Sequence, residues 1–129
     1  MDAPFRATHQ TKRMLSEMML CAEHRGAYVG YVRGEFSRTL TGFFQEVSSA
    51  FRFPYTFSWS WESLDACFRD LEWLSFSQLL WVISQPEKLF TQEEDHMAHV
   101  NALQRSIAAA ASFWRERQVP FDCVLHLFE

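Results

Sequence analysis

Residues 53–74 read FPYTFSWSWESLDACFRDLEWL and hold seven aromatic and five charged side chains in twenty-two positions. Pro54 prevents a preceding helix from continuing, so residues 53–60 are predicted to form a loop of rings and hydroxyls. Ser60 is a favourable N-cap for a helix over residues 60–72. A buried helix does not need so many acids, and a solvated helix does not need so many rings. This segment therefore needs a more specific explanation.

The predicted helix has two different faces. Its apolar residues recur at i, i+3, i+7 and i+10, which predicts an inward-facing side: Trp61, Leu64, Phe68 and Leu71. The other side carries Glu62, Asp65, Ala66 and Arg69, and the preceding loop adds Tyr55, Thr56, Phe57, Ser58 and Trp59. A solvated helix face would explain the charges alone. Rings beside fixed acids are typical of protein–protein binding sites.

The rest of the chain predicts an α/β fold. Apolar periodicity predicts helices over residues 8–25 and 39–51, and a long helix from a capping box, Thr91 with Glu94, to a stop at Pro120. Apolar and β-branched runs predict strands at 27–32, 79–84 and 123–128. Strands separated by helices imply crossovers, and hence a three-stranded parallel sheet with helices packed on it.

Composition excludes several classes of function. A chain of 129 residues suits one domain, and a net charge of −4 argues against binding nucleic acid through a basic surface. It does not argue against binding a basic protein. The opening residues lack the apolar core of a signal peptide, and no apolar run is long enough for a membrane span. We therefore expect a cytoplasmic protein.

The candidate reactive groups do not form a catalytic constellation. His96 and His99 share a helix face at i, i+3, but the HExxH spacing of zinc hydrolases is absent. Cys67 has Asp65 and Asp70 nearby, and these acids would raise the pKa of the thiol. His126 is interpreted as a hydrogen-bonded sheet histidine. We predict no enzyme activity, no metal and no cofactor.

Residues 53–74 resemble the barstar-like family of intracellular ribonuclease inhibitors. The family carries a loop and helix of the general form F-P-x-Y-F-G-x-N-W-D-A-L-x-D-C-L-R-D-L-x-W-L, and the match is ungapped. It keeps the Phe53-Pro54 pair, the apolar helix face, Cys67 and the RDL-x-WL ending. The resemblance implies a barstar-like domain over residues 27–129, preceded by an N-terminal extension over residues 1–26 that the apolar pattern predicts to be helical.

The resemblance also implies a mechanism. The family lays this loop and helix into the active-site cleft of the nuclease, where carboxylates pair with the cations that grip RNA phosphate. Glu62 stands at the position of the family's first helix acid. Ala66 replaces the second acid, Thr56 replaces the loop tyrosine, and Ser58 and Ser60 replace a glycine and an asparagine.

Two functions remain open at this point. The first is a small inhibitor, antitoxin or immunity protein that blocks a basic partner, most plausibly a ribonuclease toxin. Its partner-binding residues would be Tyr55, Thr56, Phe57, Trp59, Glu62, Asp65, Ala66 and Arg69. The alternative is an interaction module of the same fold with a non-nuclease partner, for which the aromatic loop matters more than the acids.

We predict that the protein is metal-free and that Cys21, Cys67 and Cys123 are reduced, because they are odd in number, far apart and without a CxxC pair. Native mass spectrometry with added zinc and thiol titration of the unreduced protein test this. Stoichiometric zinc bound through His96 and His99, or a disulfide between any two cysteines, contradicts it.

Overall fold

A computed structural model describes residues 5–128, and the side chains of residues 6–128. Within this range the chain forms four strands and four α-helices. They are β1 (Phe5–Gln10), α1 (Lys12–His24), β2 (Ala27–Arg33), α2 (Leu40–Ala50), α3 (Trp61–Phe68), β3 (Gln78–Ser84), α4 (His96–Glu116) and β4 (Phe121–Phe128). Short 3₁₀ turns follow β2 at Gly34–Phe36 and β3 at Pro86–Lys88. None of the helices in residues 5–128 is both long and apolar enough to cross a membrane.

All strand pairs in the sheet are parallel, and the spatial order is β1-β4-β3-β2. The connections from β2 to β3 and from β3 to β4 join neighbours, and their helices α2, α3 and α4 pack on one face. The connection from β1 to β2 runs back across the whole sheet. Because parallel crossovers are right-handed, this reversal places α1 on the opposite face. The predicted α/β class and parallel sheet are confirmed.

The sheet separates two hydrophobic cores. Successive side chains of a strand point to opposite faces, so β3 contributes Leu79, Trp81 and Ile83 to the larger core under α2–α4. It contributes Leu80 and Val82 to the smaller core under α1. Burial on both faces explains why β3 has an uninterrupted apolar sequence.

The predicted strand count was wrong, because the sheet of residues 5–128 has four strands and not three. The additional strand is β1, which pairs with β4 from Phe5 opposite Cys123 to Gln10 opposite Phe128. The predicted helix over residues 8–25 correspondingly begins at residue 12, where Thr11 caps it by accepting a hydrogen bond from the Met14 N–H. Residues 1–4 of the predicted extension and residue 129 lie outside the described residues.

The predicted capping box at Thr91 and Glu94 was also wrong, since α4 begins at His96. Residues 90–93 are bonded to another part of the chain instead. The Phe90 and Gln92 N–H groups donate to the carbonyls of residues 37 and 38. The Glu93 carboxylate accepts from the Leu40 N–H at 2.8 Å. These tertiary bonds hold the segment in turns and supply an acceptor to the first turn of α2.

His126 on β4 is fully buried, and its Nε2 lies 2.9 Å from the carbonyl oxygen of Gln10. A carbonyl oxygen only accepts, so Nε2 carries the proton in this contact. This side-chain bond links β1 to β4 in addition to the backbone hydrogen bonds between the two strands. The interpretation of His126 as a hydrogen-bonded sheet histidine is confirmed.

Three of the four predicted inward-facing residues, Leu64, Phe68 and Leu71, are buried, and Trp61 is half-buried. Glu62 is exposed. Leu64→Ala should therefore lower the free energy of unfolding by about 2–5 kcal/mol through lost burial and a cavity. Glu62→Ala, two residues away on the surface, should cost less than about 1 kcal/mol. Urea denaturation of both variants tests this, and equal losses would mean that the faces of α3 are assigned backwards.

Candidate partner-binding surface

The loop before α3 is held to the helix by its own serines. Ser60 caps α3, and its Oγ accepts from the Ser63 N–H at 3.1 Å, as the sequence predicted. The Ser63 hydroxyl in turn accepts from the Ser58 N–H at 3.0 Å. Ser58 and Ser60 are joined through their hydroxyls at 3.5 Å. The two serines that replace the family's glycine and asparagine thus fasten the loop to the start of the helix.

Rings support this loop from beneath. Phe57 is 6% exposed and contacts the rings of Phe44, Phe53 and Trp59, so it anchors the loop and presents little surface to a partner. Trp59 lies over Phe57 and is 46% exposed, while Tyr55 is 98% exposed. Large exposed aromatic side chains are enriched among the anchors of protein interfaces.

Trp59 has a φ of 56°, in the left-handed region that costs a residue with a Cβ about 1 kcal/mol or more. Ser58, which replaces the family's glycine, does not have a positive φ. The left-handed residue is one position later. The surrounding hydrogen bonds and the contact with Phe57 hold the indole in this conformation.

Helix α3 ends at Phe68 and not at residue 72, as the sequence predicted. After the helix, the Asp70 carboxylate accepts from the Glu72 N–H at 3.3 Å, a local turn that competes with helix continuation. Leu71 adopts a φ of 51° while its side chain is fully buried. Burial of Leu71 therefore turns the chain at this point, and Asp70 and Glu72 are left exposed.

The predicted contact residues of α3 do not all face the same way. Glu62, Ala66 and Arg69 are exposed, but Asp65 is half-buried. Its Oδ1 is fully buried and finds no hydrogen-bond partner among the described residues. Asp65 therefore does not present a fully solvated carboxylate beside Ala66. We use "loop–α3 surface" for the exposed set Tyr55, Thr56, Trp59, Glu62, Ala66 and Arg69.

The start of α4 packs beside this surface, which the sequence did not predict. His99 lies against the ring of Trp61, with centroids 6.3 Å apart, and against Phe90. His99 is therefore half-buried rather than fully solvated. The aromatic residues Trp61 and Phe90 were the only signal in the sequence for this contact. Rings that are partly exposed on one helix are often covered by a side chain of a neighbouring helix.

Glu93, Asp95 and His99 each bring one potential ligand atom within 4.8 Å of the others. Their contacts are accounted for within the fold, since Glu93 accepts from Leu40 and the His99 Nε2 lies 3.8 Å from Asp95. His96 is not part of this group. The metal-free state stays a prediction.

Cys67 is half-buried on α3. Burial raises the pKa of its thiol, and the Asp70 carboxylate raises it further. The predicted effect of Asp70 is confirmed, while Asp65 is not a cause of the shift. A thiol with a raised pKa is a poor nucleophile at neutral pH, so Cys67 serves as a packing residue on α3.

The structure is thus an α/β domain with a parallel sheet, in which an aromatic loop is fastened to the start of α3. Residues 27–126 match the family model of Barstar, described as barnase inhibitor, and the chain belongs to this family. Members of the family are inhibitors and not enzymes. Comparison with curated protein sequences gives no significant match. The matched residues begin at β2, so β1 and α1 lie outside the match.

The strain at Trp59 can be measured with two variants that remove the same ring. Trp59→Gly should be more stable than Trp59→Ala by about 0.5–1 kcal/mol, because glycine relieves the left-handed φ and alanine does not. Tyr55 is the matched control, since it is exposed and does not have a positive φ. There the alanine variant should be at least as stable as the glycine variant. Thermal or urea denaturation that gives the same order at both positions contradicts the assignment.

Proposed function

We propose that this protein is a small cytoplasmic inhibitor, of the antitoxin or immunity type, that blocks the active-site cleft of a ribonuclease. The observation that carries the proposal is the exposed carboxylate of Glu62 beside the exposed rings of Tyr55 and Trp59 on a fastened loop, in a chain of the Barstar family. The family description names a ribonuclease inhibitor, which supports a nuclease-type partner.

Glu62 would act as a mimic of RNA phosphate. A ribonuclease cleft holds cationic side chains for the backbone of its substrate, and a carboxylate placed among them forms charge-assisted hydrogen bonds. Glu62 is in the first turn of α3, a position that also suits a negative charge near the helix N-terminus. The net charge of −4 favours fast association with a basic partner.

Trp59 would act as the ring that fills the cleft. Its indole is held by the backbone of the loop and by Phe57, so little conformational entropy is lost on binding. Thr56 stands where the family has a tyrosine, and Trp59 is close enough in sequence to supply the ring from another position. The contact would therefore be carried by one acid and one or two rings.

A second candidate is an interaction module with a non-nuclease partner. Ala66 offers no charge at the place of the second acid, and Asp65 is half-buried, so the loop–α3 surface has fewer free carboxylates than the family pattern. Tyr55 and Trp59 are largely exposed. In that case binding would depend on rings and would change little with salt.

Affinity for barnase, and for the partner recovered by pull-down from the source cell, tests the proposal at about 50 and 300 mM salt. Glu62→Ala should weaken binding by about 2–5 kcal/mol, mostly in the off-rate, because it leaves a cation of the cleft unpaired. Trp59→Ala should weaken it by about 2 kcal/mol or more. Ala66→Asp should tighten binding to barnase by restoring the second acid.

Asp122→Ala is the matched control, since it removes one exposed acid from β4, on the α1 side of the sheet. Its affinity should equal that of the unmodified protein at both salt concentrations. If Glu62→Ala binds as well as the unmodified protein at low salt, phosphate mimicry fails and the second candidate takes its place. If Trp59→Ala also binds normally, the loop–α3 surface is not the contact site.

A further inference from the structure

A cavity of about 330 Å³ lies between α1 and the sheet, away from the loop–α3 surface. Residues 12, 15, 16 and 19 line it from one face of α1, and the other walls come from β2, β4 and the turns after β2 and β3. The volume falls within the range of small-molecule sites, which begins at about 300 Å³. The wall formed by α1 belongs to the segment that precedes the Barstar match.

The cavity lies at the carboxyl ends of the parallel strands. Gln85 directly follows β3, Glu35 follows β2, and Phe128 ends β4. In open α/β sheets this edge, at the point where connections change face, is where ligands bind. In this sheet the connections change face at α1. Helix α1 follows β1 on one face of the sheet, whereas the helices that follow β2 and β3 pack on the other face.

Two opposite charges line the cavity without pairing. Lys12 and Glu35 both contribute to its wall, yet no ion pair joins them among the described residues. Lys12 is also the first residue of α1, where the helix dipole is positive. The first turn of α1 contains no acid to compensate that charge. This end of the cavity favours an anionic group, and the Glu35 end favours a cationic one.

The remaining walls offer apolar surface. Met19 and the ring of Phe128 supply apolar area, and Tyr31 has its hydroxyl occupied by a bond to Ser84.

From this arrangement we infer that the cavity binds a small zwitterion with an apolar body, the chemistry of a free α-amino acid with a large apolar side chain. The carboxylate of the ligand pairs with Lys12 and the start of α1. Its ammonium group pairs with Glu35. Its apolar body lies against Met19 and Phe128.

Titration of ¹⁵N-labelled protein with L-leucine or L-phenylalanine, followed by NMR, tests the inference directly. Saturable shifts should appear at residues 12–19 and at Gln85 and should leave residues 55–66 unchanged. N-acetyl-L-leucine lacks the cationic group and L-leucinamide lacks the anionic group, so each should bind at least about tenfold more weakly, the effect of one charge-assisted contact.

Substitutions that remove one charge distinguish specific binding in the cavity from a general effect of protein charge on affinity. Lys12→Gln and Glu35→Gln should each weaken L-leucine binding about tenfold. Arg13→Gln is the matched control for Lys12, because Arg13 is the next residue, is exposed, and pairs with Glu17 outside the cavity. It should leave the affinity unchanged. Lys12 and Glu35 are both exposed, so circular dichroism should show that their variants keep the fold.

Three results would overturn the inference. They are no saturable shift at about 10 mM amino acid, a range that covers millimolar affinity, binding of either single-charge analogue as tight as that of L-leucine, or equal effects of Lys12→Gln and Arg13→Gln. None of these measurements uses a ribonuclease. The inference therefore stands or falls independently of the proposed inhibition.

Discussion

The contact of Trp81 with Phe51 and Phe68 is the constraint on which the other elements depend. Trp81 is fully buried on the central strand β3, and the centroid of its ring lies 5.0 Å from Phe68 of α3 and 5.6 Å from Phe51, the residue that ends α2. Phe51 can approach the sheet because Gly30 of β2 has no Cβ, and an added Cβ would clash with the ring of Phe51. One indole thereby sets the positions of α2 and α3 on the sheet. Since α3 carries Glu62 and Ala66, the same contact decides where the candidate partner-binding residues are presented.

The loop–α3 surface illustrates how a binding site can be strained and still be well held. Trp59 and Leu71 both have positive φ values, one before α3 and one after it. Leu71 is kept there by burial of its side chain, and Trp59 by the serine hydrogen bonds and the ring of Phe57. A rigid loop loses little entropy when a partner binds, which favours slow dissociation. The strain at these positions is offset by packing in the larger core.

The N-terminal segment has a structural role that the family match does not include. The match begins at residue 27, but the apolar face formed by Leu80, Val82 and Val124 is covered by α1. Parallel sheets are normally covered on both faces, because a strand buried on one side alone would expose its apolar residues to water. Strand β1 extends the sheet beside β4, and α1 then returns across the second face. The same return forms the cavity at the carboxyl ends of the strands, so the covering of the second face and the inferred ligand site have one structural origin.

The sequence by itself determined the fold class, three of the strands, the cap at Ser60 and the inward face of α3, because these features rest on local periodicity and local hydrogen bonds. Tertiary structure decided the rest. Strand β1 depends on backbone pairing with β4, which is more than a hundred residues away in the chain. The start of α4 depends on bonds from residues 90–93 to residues 37–40, which hold the predicted cap Thr91 in turns outside the helix. The half-buried position of Asp65 and the packing of His99 on Trp61 depend on how α3 meets α4. No local pattern encodes such contacts, since their free energy comes from groups that only the folded chain brings together.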